Sequence, residues 1–229
     1  MAQSATFQDG GQGAGTFKDG GLSSVATISG TKVSTLVGLV QAMVDKKQRG
    51  VILMTLSEVP STAIVTSGIL TLNVSVAASG AGLSYEVIRG TETDWTESSS
   101  FPTWTAKDGS NNWGTAGGSP TGGLGTGTAM GAMPTSTGDV DLDITELVRD
   151  AVENRSGVLN ILIRSTVESG STYDSFTYKS GDNSTTGDRP SLTVKYVEGG
   201  GSAGKLRATT MRAGGRRSMA KRNRRLFRR

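Results

Sequence analysis

The chain has 229 residues, of which 33 are glycine and 5% are aromatic, a composition typical of many short strands joined by tight turns. It contains no cysteine and no histidine, which excludes disulfides, thiolate chemistry, Ser-His-Asp triads and the usual zinc sites. The net charge is +4, but residues 205–229 hold eleven Lys and Arg and no acid, so the first 204 residues carry 13 basic and 20 acidic side chains. The sequence therefore predicts an acidic body followed by a basic tail.

The first residues contain no basic region followed by an apolar run, so we predict no secretory signal. The longest apolar stretches, near 36–44 and 51–56, are too short to cross a bilayer. We therefore expect synthesis in a cytoplasm and no membrane partner.

Residues 1–21 contain an internal repeat, in which TFQDGG at 6–11 returns as TFKDGG at 16–21. Asp-Gly-Gly favours a turn with positive φ, and each Phe is able to insert into a neighbouring surface. One interpretation is a flexible N-terminal arm, and the other is an arm that docks on a neighbouring subunit through Phe7 and Phe17. Both place residues 1–21 outside a β-domain that we assign to residues 22–197.

Strands are predicted wherever apolar and β-branched residues alternate with polar ones between turn signals. In chain order these segments are 22–44, 51–56, 63–76, 83–89, 140–144, 158–165, 172–179 and 191–197. We interpret residues 46–50 as a polar turn, and the Gly- and Thr-rich residues 119–138 as an irregular excursion.

One short helix is predicted between residues 145 and 154. Thr145 is a suitable N-cap, Gly157 marks the end, and the apolar stripe consists of Leu147, Val148, Ala151 and Val152. About eight to ten strands, one helix and no βαβ alternation predict an all-β fold. We expect an antiparallel β-sandwich of jelly-roll type with long Gly-rich loops.

All three tryptophans, Trp95, Trp104 and Trp113, lie nine residues apart within residues 91–118, which we call the tryptophan segment. Its other residues are mainly Ser, Thr, Asn and Gly, so we predict a long ordered loop that folds over the β-core and is anchored by the indoles.

An ordered set of short motifs resembles the DNRLRE-type domain. The segments are GVILMTLSEVP at 50–60, IVTSGILTL at 64–72, WTE at 95–97, TW at 103–104, Trp113 with GG at 117–118, LDITELV at 142–148 and DRPSLTVKY at 188–196. The resemblance covers about residues 16–197, and it departs from the family pattern where Phe-Asp is replaced by Met54-Thr55. It implies a β-sandwich related to carbohydrate-binding modules. It also implies structural roles for Trp95 and Trp104, which leaves Trp113 as the predicted glycan contact.

Five acidic residues supply oxygen atoms of the kind that calcium prefers: Asp94, Glu97, Asp139, Asp141 and Asp143. The last three alternate along one strand and project to one face, which we interpret as a solvated strand face. Nothing fixes a separation between Glu97 and Asp143 that glycoside hydrolysis would need. We therefore predict no catalytic residue, no metal and no cofactor.

A Gly-rich linker at 198–204 precedes the basic tail at 205–229. Such a segment cannot fold alone, so it either improves solubility or requires an acidic partner, such as nucleic-acid phosphates or an acidic protein surface. The predicted anchor residues are Arg216, Arg217, Lys221, Arg222, Arg224, Arg225, Leu226, Phe227, Arg228 and Arg229.

Two functions remain open at this point. The first is a non-enzymatic structural protein of a virus particle, such as a phage head decoration, fibre or tail-accessory subunit, made in the host cytoplasm and located in the virion. It would contact other capsid or tail proteins, or packaged nucleic acid, through the tail and form a homo-oligomer, with a trimer as one option. The alternative is a carbohydrate-binding adhesin module that recognises host or surface glycans.

Overall fold

The fold was analysed in a computed structural model that describes residues 1–9, 17–23, 34–40, 46–97, 102–118, 129–169 and 174–199. The strands are β1 Ala2–Gln8, β2 Phe17–Ser23, β3 Ser34–Val40, β4 Lys46–Thr55, β5 Ile64–Val76, β6 Ser84–Arg89, β7 Ala129–Ala132, β8 Gly138–Asp143, β9 Val158–Ser165, β10 Asp174–Lys179 and β11 Ser191–Val197. One helix, α1 Thr145–Asn154, and a 3-10 turn, Thr186–Asp188, complete the described elements. Residues Met1–Gly199, hereafter the body, form one compact unit.

Every pairing between the described strands is antiparallel, and the pairings centre on two strands. Strand β4 pairs with β2 and β9, and β9 continues to β6 and β7. Strand β5 pairs with β8 and β11, and β11 continues to β1. Strands β3 and β10 pair with each other and connect the two groups. The predicted all-β class and antiparallel sandwich are confirmed, while the jelly-roll type stays a prediction.

The main core lies between the two groups of strands. Strand β5 shows the alternation expected of a strand with one buried face, because Leu70, Leu72 and Val74 are buried while the residues between them are partly exposed. The α1 stripe of Leu147, Val148, Ala151 and Val152 is buried, as predicted. A Cβ on Gly68 would lie 2.7 Å from Val148 Cγ2, so glycine lets the helix pack directly on β5.

The helix boundaries follow the predicted signals closely. Thr145 is the first helical residue rather than the cap, and its amide and hydroxyl both donate to Asp143 Oδ1. At the other end Gly157 adopts φ 77° and its N–H donates to Ala151 O at 2.9 Å. Ala151 O also accepts from Arg155 N at 3.1 Å, so two amides close the last turn of the helix at one carbonyl.

The prediction of an N-terminal arm is wrong for the described parts of residues 1–21. Strand β1 pairs with β11 along its whole length, and β2 pairs with β4. Phe7 is 1% exposed and packs in the core of its own chain. Each half of the repeat therefore contributes a strand, since joining a sheet pairs its backbone groups and buries its apolar side chains. The β-domain begins at Ala2 instead of residue 22.

The interpretation of residues 46–50 as a polar turn is also wrong, because they form the first half of β4. Gln48 and Arg49 are 5% and 6% exposed, so the charge pattern does not mark a solvent-facing turn. Within the predicted irregular excursion, 129–132 form β7 and β8 begins at Gly138. Residues 119–128, the linker beyond Gly199 and the whole tail lie outside the described residues.

Asp174 at the start of β10 organises the turn that follows β5, at residues 77–82. Its carboxylate accepts hydrogen bonds from the amides of Ser79 at 2.7 Å and Ala81 at 2.9 Å, and from the Ser79 hydroxyl at 3.1 Å. Burial alone would raise the pKa of Asp174, but these donors lower it below its ordinary value of 3.8. The carboxylate therefore stabilises the folded state.

We expect Asp174→Ala to lower the free energy of unfolding by about 2–3 kcal/mol at pH 7, because three hydrogen bonds to a charged acceptor are lost. Since the folded-state pKa is depressed, this contribution is complete above about pH 3.8 and is lost as the pH falls below that value. Urea unfolding at a series of pH values measures both effects. Asp141→Ala is the control, because that carboxylate is exposed; an equal loss in both variants would contradict the assignment.

Candidate binding surface at the tryptophan segment

Strands β4 and β9 are buried on both faces, because the tryptophan segment packs on the face that points away from the main core. Ile52 and Met54 face the main core, whereas Val51 and Leu53 face a second apolar cluster. The other buried members of that cluster are Leu22, Ile88, Trp95, Trp113 and Leu162. The segment therefore covers the outer face of this sheet, and the predicted anchoring by indoles is confirmed for its two buried tryptophans.

The structure corrects the prediction for Trp113. Its side chain is 5% exposed and packs in the second cluster, and its Nε1 donates to Thr103 O at 2.8 Å. A ring buried in this way offers no open face on which a sugar ring could stack. Trp95 is 0% exposed and is equally structural.

Trp104 is the partly buried ring of the three, and it stacks on Arg49, whose guanidinium carbon lies 4.7 Å from the ring centroid. Arg49 Nε and Nη2 donate to the Glu168 carboxylate at 2.7 Å and 2.6 Å, and Nη1 donates to Gly117 O at 2.7 Å. A planar fork of this kind is the strongest form of charge-assisted pairing. Arg49 on β4 thus connects Glu168, which follows β9, with Trp104 and Gly117 of the tryptophan segment.

Glycine is required at residue 117 for two reasons. Its φ is 86°, a conformation that other residues rarely adopt. A Cβ there would also lie 2.5 Å from Arg49 Nη1 and 2.9 Å from the Trp104 ring. The Gly-Gly pair quoted in the family resemblance therefore has a local physical reason, namely close backbone approach to a buried arginine.

Polar contacts close the outer side of the segment. Lys107 Nζ lies 2.8 Å from Asp94 Oδ2 and 2.9 Å from Glu92 Oε2, and these hydrogen bonds raise the pKa of Lys107. Asp108 accepts from the side chain of Asn111 and the amides of Ser110 and Asn111, which lowers its pKa. Asp94, a calcium candidate from the sequence, is therefore paired with an ammonium group.

The three strand carboxylates share one exposed face, as predicted, and each has a hydroxyl or amide donor. Thr71 Oγ1 donates to Asp141 at 2.6 Å, Asn73 donates to Asp139 at 2.7 Å, and Thr145 donates to Asp143. Across the described ranges, no group of three or more acidic side chains is arranged to hold a metal ion.

The sequence analysis missed one acidic site, at Asp19. This residue on β2 is 4% exposed, and its amide donates to Glu97 Oε1 at 3.2 Å. Gly181 N donates to Asp19 Oδ1 at 3.1 Å. Burial and the nearby Glu97 carboxyl raise the pKa of Asp19 well above its ordinary value, and burial also raises the pKa of Glu97. The Asp-Gly-Gly sequence resembled a turn, so no local signal marked the site.

A comparison with protein-family models found no match for this chain, and a comparison with curated proteins found no match either. The resemblance to the DNRLRE-type domain therefore stays a prediction that depends on the motifs quoted above. No helix in the described part of the chain has the length and apolarity needed to span a bilayer. The predicted anchor residues of the tail, 216–229, lie outside the described residues.

We expect Arg49→Ala to destabilise the body by about 3–5 kcal/mol, because it leaves Glu168 largely buried without its ion-pair partner and removes the support of Trp104. Urea unfolding monitored by tryptophan fluorescence measures the loss. Emission should also shift to longer wavelength as the segment loosens.

Two further variants separate the causes. Arg49→Lys keeps the charge without the planar fork, so an intermediate loss is expected. Arg149→Ala is the control, because the Arg149 side chain is 36% exposed, pairs with Glu146 within α1 and donates to Val65 O, and its cost should be about 1 kcal/mol. An Arg49→Ala protein as stable as Arg149→Ala would show that Arg49 does not hold the segment.

Proposed function

We propose that the chain is a non-enzymatic structural subunit of a virus particle, attached to its neighbours through the basic tail at 205–229. The observation that carries the proposal is the charge division: eleven basic residues and no acid in the tail, against 13 basic and 20 acidic residues before it. A charge difference of this size between two parts of one chain favours contact with an acidic partner.

The body uses much of its own positive charge internally. Among the described residues, eight basic side chains form ion pairs with acids of the body: Arg49, Arg89, Lys107, Arg149, Arg155, Arg164, Lys179 and Arg189. The tail has no acidic residue of its own to pair with. Its eleven charges therefore favour a partner that lies outside the tail, and the proposed partners are acidic surfaces of capsid or tail proteins.

A β-sandwich body with a charged terminal segment suits a repeated subunit of a shell or fibre. In such assemblies the body supplies bulk and the segment reaches a neighbour, so a homo-oligomer located in the virion is part of the proposal. Packaged nucleic acid is the second partner class for the tail, because arginine-rich segments bind phosphates without requiring a fold.

Deletion of residues 205–229 tests the proposal. The truncated body should keep the unfolding midpoint of the full chain, whereas its copy number on purified particles should fall at least tenfold. A full-length control with all eleven basic residues changed to Gln separates charge from length, and it should lose association in the same way. Particles that retain the truncated body at normal copy number would overturn the proposal.

Salt and nuclease treatment separate the two partner classes. Binding to packaged nucleic acid should weaken steeply with salt and disappear after nuclease treatment. Binding to an acidic protein surface should survive nuclease treatment and weaken less with salt.

The alternative is a carbohydrate-binding module, and the partial exposure of the Trp104 ring supports it. This ring retains partial exposure, while its stacking on Arg49 holds it rigidly. A glycan array with the isolated body tests this function, with Trp104→Ala as the loss-of-binding variant and Trp113→Ala as the structural control. Absence of binding to every glycan would remove this alternative.

A further inference from the structure

We propose that a calcium ion binds between Asp19 and Glu97, where β2, the tryptophan segment and the connection from β10 to β11 meet. The proposal does not depend on the function proposed above. It concerns the buried carboxylate of Asp19 and the exposed carboxylate of Glu97, which the fold brings together from positions 78 residues apart.

The geometry of Asp19 is the main observation. Its amide donates to Glu97 Oε1 at 3.2 Å, so the two acidic residues are in contact. Its Oδ1 accepts from Gly181 N at 3.1 Å, which fixes the carboxylate. Its Oδ2 is buried and has no hydrogen-bond partner among the described residues. Because the residue is only 4% exposed, bulk water does not replace the missing partner. A bound cation would stabilise this oxygen, because burying a carboxylate oxygen without a partner raises the free energy of the folded state.

Two further carboxylates add negative charge around the same point. A Cβ on Gly181 would lie 3.1 Å from Asp19 Oδ1 and 3.3 Å from Asp9 Cβ. Asp182 follows Gly181 in the chain and acts electrostatically on both Asp19 and Glu97. Four acidic residues from three separate parts of the sequence therefore surround this point: Asp9 and Asp19 near the N terminus, Glu97, and Asp182.

The basic side chains that flank these residues in sequence have other partners. Lys18 Nζ donates to Trp95 O at 2.8 Å, and Lys179 Nζ donates to Asp188 at 2.6 Å. Arg189 donates to Asn183 O at 2.7 Å and lies 3.7 Å from Asp9 Oδ2. Arg189 thus offsets the charge of Asp9, while the Asp19–Glu97 pair has no such ion pair among the described salt bridges.

The donor chemistry selects calcium over other ions. The described side chains that meet at the site offer carboxylate oxygens, and the chain has no histidine or cysteine, which disfavours zinc and other transition metals. Calcium accepts irregular oxygen shells and fills vacant positions with water, whereas magnesium demands a near-ideal octahedron. Asp19 and Glu97 are in contact, so these two residues bind the ion directly. Asp9 and Asp182 contribute charge from farther out.

An ion held mainly by two carboxylates binds weakly, in the range of about 10⁻⁴–10⁻³ M that extracellular calcium modules show. It would fasten the first part of the tryptophan segment to β2 and to the β10–β11 connection at once. The consequence is a body whose stability depends on the calcium concentration around it.

The test uses the full chain stripped with EDTA, with thermal unfolding followed at increasing CaCl₂ up to about 10 mM at pH 7.5. Binding at the affinity given above should raise the unfolding midpoint by about 2–6 °C. MgCl₂ at the same concentration should have less than half that effect. Isothermal titration with CaCl₂ alone should give one site per chain.

Asp19→Asn and Glu97→Gln should each fold in EDTA and lose the response to calcium. Asp19→Asn keeps the acceptor for Gly181 N and removes one of two adjacent negative charges, so its midpoint in EDTA should equal or exceed that of the unchanged chain. Asp141→Asn, on the exposed strand face, is the matched control and should keep the full response.

Three outcomes would overturn the proposal. The first is an unchanged midpoint at every calcium concentration, which would mean that the two carboxyl groups share a proton instead. The second is an equal response in Asp19→Asn, which would place the ion elsewhere. The third is an equal response to magnesium, which would indicate non-specific screening of acidic charge.

Discussion

The buried guanidinium of Arg49 is the constraint on which the outer layer of this protein depends. A charge inside a protein is tolerated when it is paired and hydrogen-bonded, and the partners of Arg49 come from distant parts of the chain: Glu168, the carbonyl of Gly117 and the ring of Trp104. Glu168 fixes the residues after β9, while Gly117 and Trp104 fix the tryptophan segment. Formation of the arginine site and covering of the sheet are therefore coupled, because each supports the other.

This arrangement explains why β4 and β9 are apolar on both faces, which is unusual for an antiparallel sheet. One face meets the sandwich core and the other meets the indoles of the tryptophan segment. The segment is therefore part of the fold and not an accessory loop. Among its three indoles only Trp104 reaches the surface, so recognition through a tryptophan of this segment would use that ring.

The sequence predicted regular elements well where side-chain alternation alone determines them. Strands 158–165 and 191–197 and the helix stripe were correct to the residue. The failures share one cause, namely partners that are distant in sequence. The sequence around Arg49 indicates a polar turn, because the partner of Arg49, Glu168, lies 119 residues away. The sequence around Asp19 indicates a turn, because the donor to its carboxylate, Gly181 N, lies 162 residues away. Tertiary packing likewise determines which tryptophan is exposed, and the nine-residue spacing carries no information about that packing.

The pairing of β1 with β11 has a consequence for biosynthesis. The first strand at Ala2–Gln8 pairs with the last at Ser191–Val197, so the N-terminal strand emerges from the ribosome long before its partner exists. During that interval its backbone groups and Phe7 are exposed, a condition that favours chaperone binding or transient aggregation. The sheet closes at this edge only after residue 197 has left the exit tunnel, so the body cannot complete its fold before β11 is available.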